Sequence, residues 1–230
     1  TRFLQPRAFQ VDSWARSLIK TRCTPGATCV DVGAYRGDIL RVFLQHATNG
    51  FVIGFEPDPD NCVFLKKRFP SAQIEQLALG GTVGLQDFIR NTARPARSHL
   101  ATLADASTES KTSAECVQVS VTTLDNYFSQ SEVVDFIKID AEGAELEILK
   151  GGMSVFCRSQ PLMIIEHGLD TSTLSTDKSK EIFEIIQIEI GLDIFPLNDI
   201  REPISSSDAF LELLATGIDY FFAAPNTLKT

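Results

Sequence analysis

The chain has 230 residues, 43% of them hydrophobic, and its 21 Lys and Arg against 30 Asp and Glu give a formal charge of −9. That length suits one α/β domain with a substantial core and is too short for two large ones. No apolar run approaches the roughly 18 residues of a membrane span, and the acidic balance argues against a nucleic-acid backbone, whose affinity rests on Lys and Arg displacing counterions.

In chain order, Phe9, Trp14, Leu18 and Ile19 fall at helical spacing and predict a helix over 9–20, capped by Asp12 or Ser13, that covers the sheet or a ligand. Alternating units follow: strand 28–32, helix 38–46, strand 51–55, helix 59–69 and strand 73–77. Strands alternating with helices predict a parallel sheet with right-handed crossovers. Residues 84–90 and 116–121 read as strands around a polar stretch, 91–115, rich in Ser, Thr and Ala and expected to be a mobile loop. The rhythm returns with strand 133–139, helix 144–156, strand 162–166, helix 178–190 and strand 192–195, and the β-rich run "IDYFFAAP" closes the chain. Residues 1–230 thus read as a single domain, with 1–22 as a helical cover.

Cys23, Cys29, Cys62, Cys116 and Cys157 are odd in number and lack metal-type pairing, so free thiols in a reducing, cytoplasmic compartment are expected. The chain begins at Thr1 without a signal-peptide pattern; a removed leader or anchor would leave no trace. Nothing in the sequence specifies an oligomeric state, and neither a nucleic-acid nor a membrane partner is expected.

The first chemical signal is "VDVGAYRGD", Val30 to Asp38: an apolar strand ends in an acid and a glycine, and a second glycine opens a helix. In an open parallel sheet, ligands bind beyond the carboxyl ends of the strands where strand order reverses. The dinucleotide fingerprint G-x-G-x-x-G is broken here, because Ala34 and Tyr35 occupy the place of a middle glycine, and no Walker loop follows. The second strand ends in "GFEPDP", which puts Glu56 at the distance from Asp31 where such folds place a ribose-binding acid. An acidic turn without a phosphate cradle, followed by that acid, suits a nucleoside bearing positive charge. S-adenosylmethionine fits. Alternatively, Gly33 and Gly37 make a tight turn and Glu56 merely ends a strand before a Pro-rich turn.

The segment "IKIDAEGAELEILKGG" resembles the most characteristic stretch of the FkbM family of S-adenosylmethionine-dependent methyltransferases. "VDVGAYRGD", "GFEPDP", "QLALGG" and "VTTLDNYF" resemble the family's other blocks in the expected order, over about Cys29 to Glu166. The resemblance implies a class I methyltransferase fold: a Rossmann-like, seven-stranded, mostly parallel sheet with helices on both faces and one antiparallel strand near the C-terminus. It also implies that Asp31 and Gly33 hold the methionine part of the cofactor, that Glu56 binds the ribose diol, and that Ala78 and Leu79 lie against adenine. Tyr35, Gly37 and Pro57, in the same two turns, are counted with them as cofactor-binding residues. The implied activity is O-methylation of a small hydroxylated molecule, a sugar or secondary metabolite. A cofactor-binding domain without catalysis and a nicotinamide-dependent oxidoreductase are the rival readings.

A hydroxyl acceptor must lose its proton. Asp140, at the end of the fourth β-strand of the βα series, and Glu166 and His167, at the end of the fifth, are the ionisable groups expected to face the crevice. His167 is the best-matched general base by intrinsic pKa, with Asp140 orienting the acceptor or facing the cofactor's positive end. The competing roles are a helix cap for Asp140, with the helix starting near Ala141, and a backbone-bonded strand-end histidine. Asp140, Glu142, Glu166 and His167 include metal-ligand types, but no metal is expected. Arg90, Arg94, Arg97 and His99 either meet an anionic or polyol substrate or form a solvated loop, and Phe9 and Trp14 either roof the pocket or pack in the core.

Overall fold

In a computed structural model, residues 7–91, 98–101, 114–168 and 176–226 are described. Seven strands form the main sheet: β1 (Thr28–Val32), β2 (Phe51–Phe55), β3 (Gln73–Glu75), β8 (Phe136–Ile139), β9 (Leu162–Glu166), β10 (Leu192–Pro196) and β11 (Tyr220–Pro225). Their order is β10-β11-β9-β8-β1-β2-β3, with β11 antiparallel between β9 and β10 and the other pairings parallel. This is the arrangement implied by the family resemblance. Strand order reverses between β1 and β8, which opens the ligand crevice at their carboxyl ends.

Both faces of the sheet are covered, so its strands are apolar almost throughout. Helices α1 (Arg7–Arg22), α2 (Asp38–His46) and α3 (Pro59–Arg68) pack on one face, where Ile19, Phe43, Leu65 and Phe136 are buried together. The opposite face is covered by α5 (Glu145–Lys150), α6 (Met153–Ser159), α7 (Thr176–Glu184) and α8 (Ser207–Ala215), with Ile137, Ile139, Ile148, Phe156 and Phe210 in its core. Alternation along β8 sends Ile137 and Ile139 to that face, so Lys138 shares the α1–α3 side with Phe136.

The N-terminal helix begins by Arg7, so Asp12 and Ser13 lie inside it and do not cap it. The single helix expected over 144–156 is two, because α5 ends at Gly151 and α6 starts after Gly152. A side chain at Gly151 would strike the Gly80 carbonyl, and one at Gly152 would meet Leu124 and Phe156, so close packing selects both glycines. Beyond α7 the helix widens into a π-turn over Ile185–Ile190. One further short helix, α4 (Leu124–Tyr127), is capped by Thr123, whose side chain accepts the Asn126 N–H.

A second sheet stands beside the crevice, in the order β4 (Ala78–Leu79), β7 (Ala114–Thr122), β5 (Gly84–Asn91), β6 (His99–Leu100). Part of the stretch 91–115 is therefore strand: Asn91 pairs with Ala114, and His99 and Leu100 pair with β5. Residues 92–97 and 102–113, including Arg94 and Arg97, lie outside the described residues. Among the described residues no helix is long and apolar enough to cross a membrane.

Candidate active site

The turns after β1, β2 and β8 close around a cavity of about 370 Å³, with α1 on one side and the second sheet on another. Asp31, Gly33, Tyr35, Glu56, Pro57, Ala78, Leu79 and Asp140 all line it. Gly37 does not. It adopts φ 77° at the start of α2, and a side chain there would collide with Phe69 and Leu65, so its lack of a Cβ serves the contact with α3 and its flank.

The turn after β1 is shaped by contacts within the protein. Gly33 has φ 72°, and an added Cβ would run into the Asp140 carbonyl oxygen. Its N–H and that of Ala34 both donate to the Phe55 carbonyl, which ties the turn to β2. Tyr35 takes a left-handed conformation, φ 45°, and its N–H donates to Glu56 Oε2 at 2.7 Å. Glu56 Oε1 accepts the Asp58 N–H at 2.9 Å, so this buried carboxylate organises both turns at once. Burial pushes the Glu56 pKa up, and the two backbone N–H bonds oppose that shift.

Asp31 is buried, and its Oδ1 accepts no hydrogen bond. The Lys138 ammonium lies 3.8 Å from that oxygen and 2.9 Å from Asp140 Oδ2. Burial raises Asp31 to about 6, with Lys138 pulling the other way. Burial alone would lower Lys138, but Asp140 and Asp31 hold it firmly protonated. Beyond Asp140, the Tyr220 hydroxyl on β11 is 2.7 Å from Glu166 Oε2 and 3.3 Å from Asp140 Oδ2. Burial and the hydrogen-bonded Asp140 carboxyl raise Glu166 well above the usual carboxylate range, while Lys138 keeps Asp140 ionised against its own burial. A polar stripe thus crosses four adjacent strands on one face: Tyr220, Glu166, Asp140 with Lys138, and Asp31.

His167 is not in this cavity. The pleat turns successive side chains to opposite faces, so when Glu166 faces the crevice, His167 points away from it. The imidazole is buried, stacks on Phe210 at a ring separation of 6.1 Å, and has Nε2 3.0 Å from Ser179 Oγ on α7. Burial lowers its pKa to about 4 and keeps it neutral. Asp140 does not cap a helix either, because α5 starts only at Glu145, whose own carboxylate holds the intervening loop through the Ala141 and Gly143 N–H groups.

Two groups missed in the sequence reading stand at the centre of the site. Lys138 is a lone cation within the buried strand "FIKI", and that misfit was its signal. Tyr220 is brought beside Glu166 only by the antiparallel register of β11 on β9. Arg90 is bound to Asp58, Asp60 and Glu115 and ties β5 to the start of α3, whereas His99 does line the cavity. From α1, Val11 and Ala15 face the cavity; Trp14 is 38% exposed, and nothing is described of the Phe9 side chain. Among the described residues no group of three or more His, Cys, Asp and Glu side chains is arranged to hold a metal ion.

The FkbM methyltransferase domain model matches residues 31–191, from the end of β1 to the residue before β10. The chain belongs to the FkbM methyltransferase family. The crystal structure of an FkbM methyltransferase from Methylobacillus flagellatus KT superimposes with a TM-score of 0.53 at 19% identity, covering 86% of this chain and 43% of that one. The chain therefore spans less than half the length of that FkbM protein, whose likeness shows the fold. A TehB-like S-adenosylmethionine-dependent methyltransferase from Corynebacterium glutamicum matches at 14% identity over 91% of this chain and 85% of its own, with a TM-score of 0.46. No curated protein matches the sequence.

S-adenosylmethionine is the cofactor expected of an FkbM domain, and the residues present fit it. An orphaned buried carboxylate oxygen on Asp31 suits a positively charged group. Glu56, with each oxygen taking one N–H, retains lone pairs for a hydroxyl pair. Ala78 and Leu79 offer an apolar wall for a flat ring.

Proposed function

We propose that this domain transfers a methyl group from S-adenosylmethionine to a hydroxyl of a small molecule, a sugar or secondary metabolite. The reading is carried by one observation: Asp31, Glu56 and Asp140, from three separate strand ends, converge on a single cavity with a buried unsatisfied carboxylate oxygen. In it, Asp31 and the Gly33 turn take the methionine end, Glu56 the ribose hydroxyls, with Tyr35 and Pro57 framing them, and Ala78 and Leu79 the adenine.

The bound cofactor supplies an activated methyl group on a sulfonium. What remains for the protein is alignment of the nucleophile and acceptance of its proton. Asp140 is the proton acceptor in this reading, because it lies on the cavity wall, is ionised beside Lys138, and keeps 22% of its side chain exposed. An acidic cavity does not favour an anionic acceptor, which agrees with a neutral polyol. We place the protein in a reducing cytoplasm on account of its free cysteines, the closest of which, Cys23 and Cys29, have their sulfurs 3.6 Å apart.

Calorimetric titration with S-adenosylmethionine, S-adenosylhomocysteine and NADH tests the reading. Micromolar binding of the first two and not the third supports it; NADH binding in their place overturns it. A panel of hydroxylated acceptors then separates a methyltransferase from a domain that binds the cofactor without turnover.

A further inference from the structure

The carboxyls of Asp140 and Glu166 share one donor: the Tyr220 hydroxyl lies 2.7 Å from Glu166 Oε2 and 3.3 Å from Asp140 Oδ2. Two carboxylates gathered at one hydroxyl repel each other when both are ionised, which favours a proton on one of them. The groups around the pair fix which one. Lys138 on β8 donates to Asp140 at 2.9 Å and stabilises its charge. Around Glu166 stand the Tyr220 phenol on β11, the Asp140 charge, and Glu142 on the loop after β8. The phenol's hydrogen bond favours charge on Glu166, but the two neighbouring acids oppose it, and the ammonium of Lys138 is bound to Asp140. Asp31 on β1 is the remaining acid facing Lys138. Tyr220 has one hydroxyl proton and cannot donate fully to both carboxylates at once.

We propose that Glu166 stands as a neutral carboxylic acid at neutral pH, donating its proton to Asp140, and that the stripe Asp31–Lys138–Asp140–Glu166–Tyr220 therefore carries one net negative charge, matched to a singly charged cationic ligand group at the cavity. Glu166 and Lys138 are then positioning residues: they set the charge and orientation of Asp140 and need not touch the acceptor. The second part, the match to a cation, rests on the cofactor reading above; the first does not. When a hydroxyl proton passes to Asp140, the pair becomes neutral as the cofactor's positive charge is discharged. The O–H bond of the acceptor and the sulfur–methyl bond of the cofactor break, the methyl–oxygen bond forms, and the summed charge of cavity and cofactor is unchanged.

Infrared spectroscopy of the ligand-free protein at neutral pH tests the proton directly. A protonated-carboxyl C=O band that shifts on isotope labelling of glutamate, not of aspartate, and disappears in Glu166→Gln is the expected result. No such band, or one that follows aspartate labelling, overturns the proposal; because labelling uses the unmutated chain, the test survives a variant that fails to fold. Calorimetry tests the charge match. Asp140→Asn should lower the preference for S-adenosylmethionine over neutral S-adenosylhomocysteine by about tenfold or more, whereas Glu166→Gln, a neutral replacement, should leave that ratio within about threefold of the unmutated protein. A ratio unmoved by Asp140→Asn overturns the charge match. Failure of the unmutated protein to bind either compound would instead overturn the cofactor reading while leaving the infrared result to stand.

Discussion

Gly33 sits with its α-carbon against the carbonyl oxygen of Asp140, so the turn that follows β1 and the turn that follows β8 touch each other through bare backbone. The glycine looks from sequence like a ligand-approach residue, yet the group that approaches it is the protein's own chain. Gly33→Ala should therefore destabilise the domain by about 2 kcal/mol or more, from the clash and from the positive φ together. Urea unfolding of that variant, with its cofactor affinity measured on the folded fraction, checks this; unaltered stability would mean the two turns can separate freely.

Lys138 is 9% exposed at its side chain and lies between two carboxylates. Removing one partner from a buried ionic group leaves uncompensated charge, and Lys138→Met should cost about 3–5 kcal/mol of stability. The double variant Lys138→Met with Asp140→Asn should recover part of that loss, since it removes one of the two stranded charges. Denaturant midpoints for the unmutated chain, the two single variants and the double variant measure the coupling.

Glu56 offers a different balance. Both oxygens accept backbone N–H groups, so Glu56→Gln sets an amide nitrogen against a donor. We expect a stability loss of about 1–3 kcal/mol, because one N–H is left unsatisfied, together with weaker S-adenosylmethionine binding. Calorimetry beside thermal unfolding resolves the two; full affinity in the variant would remove Glu56 from the ribose site.

His167 makes a prediction about pH. Its pKa falls from 6.5 to about 4 on burial. Above pH 6.5 the ring is neutral whether folded or not, so it adds no pH dependence there. As pH falls from 6.5 toward 4, only the unfolded chain takes up the proton and stability declines, by up to about 3 kcal/mol. His167→Gln should flatten this part of the profile and leave cofactor affinity unchanged. A loss of binding in that variant would return the residue to the site.

The parallel sheet and its crevice were legible because βα alternation repeats a simple pattern, and "VDVGAYRGD" and "GFEPDP" mark the ends of β1 and β2 directly. The side of the cavity that carries Asp140 and Glu166 was less so. Which of Glu166 and His167 faces inward depends on the phase of the pleat, and one residue of phase reverses the answer. Tyr220 follows Glu166 by 54 residues, and only strand pairing brings them together. Likewise, the break between α5 and α6 answers to Gly80 and Leu124, far from the helix in sequence, and helical periodicity contains no trace of such neighbours.

The insertion of β11 between β9 and β10 also orders events during synthesis. Until residues 220–225 have left the ribosome and docked, β9 and β10 have no common neighbour, and each presents an unpaired edge open to other chains. The same docking delivers the Tyr220 phenol to Glu166 and Asp140. A nascent chain interrupted short of this strand would hold the Glu56 turn and lack its finished acidic pair, so completion of the sheet and completion of the polar stripe fall on one step.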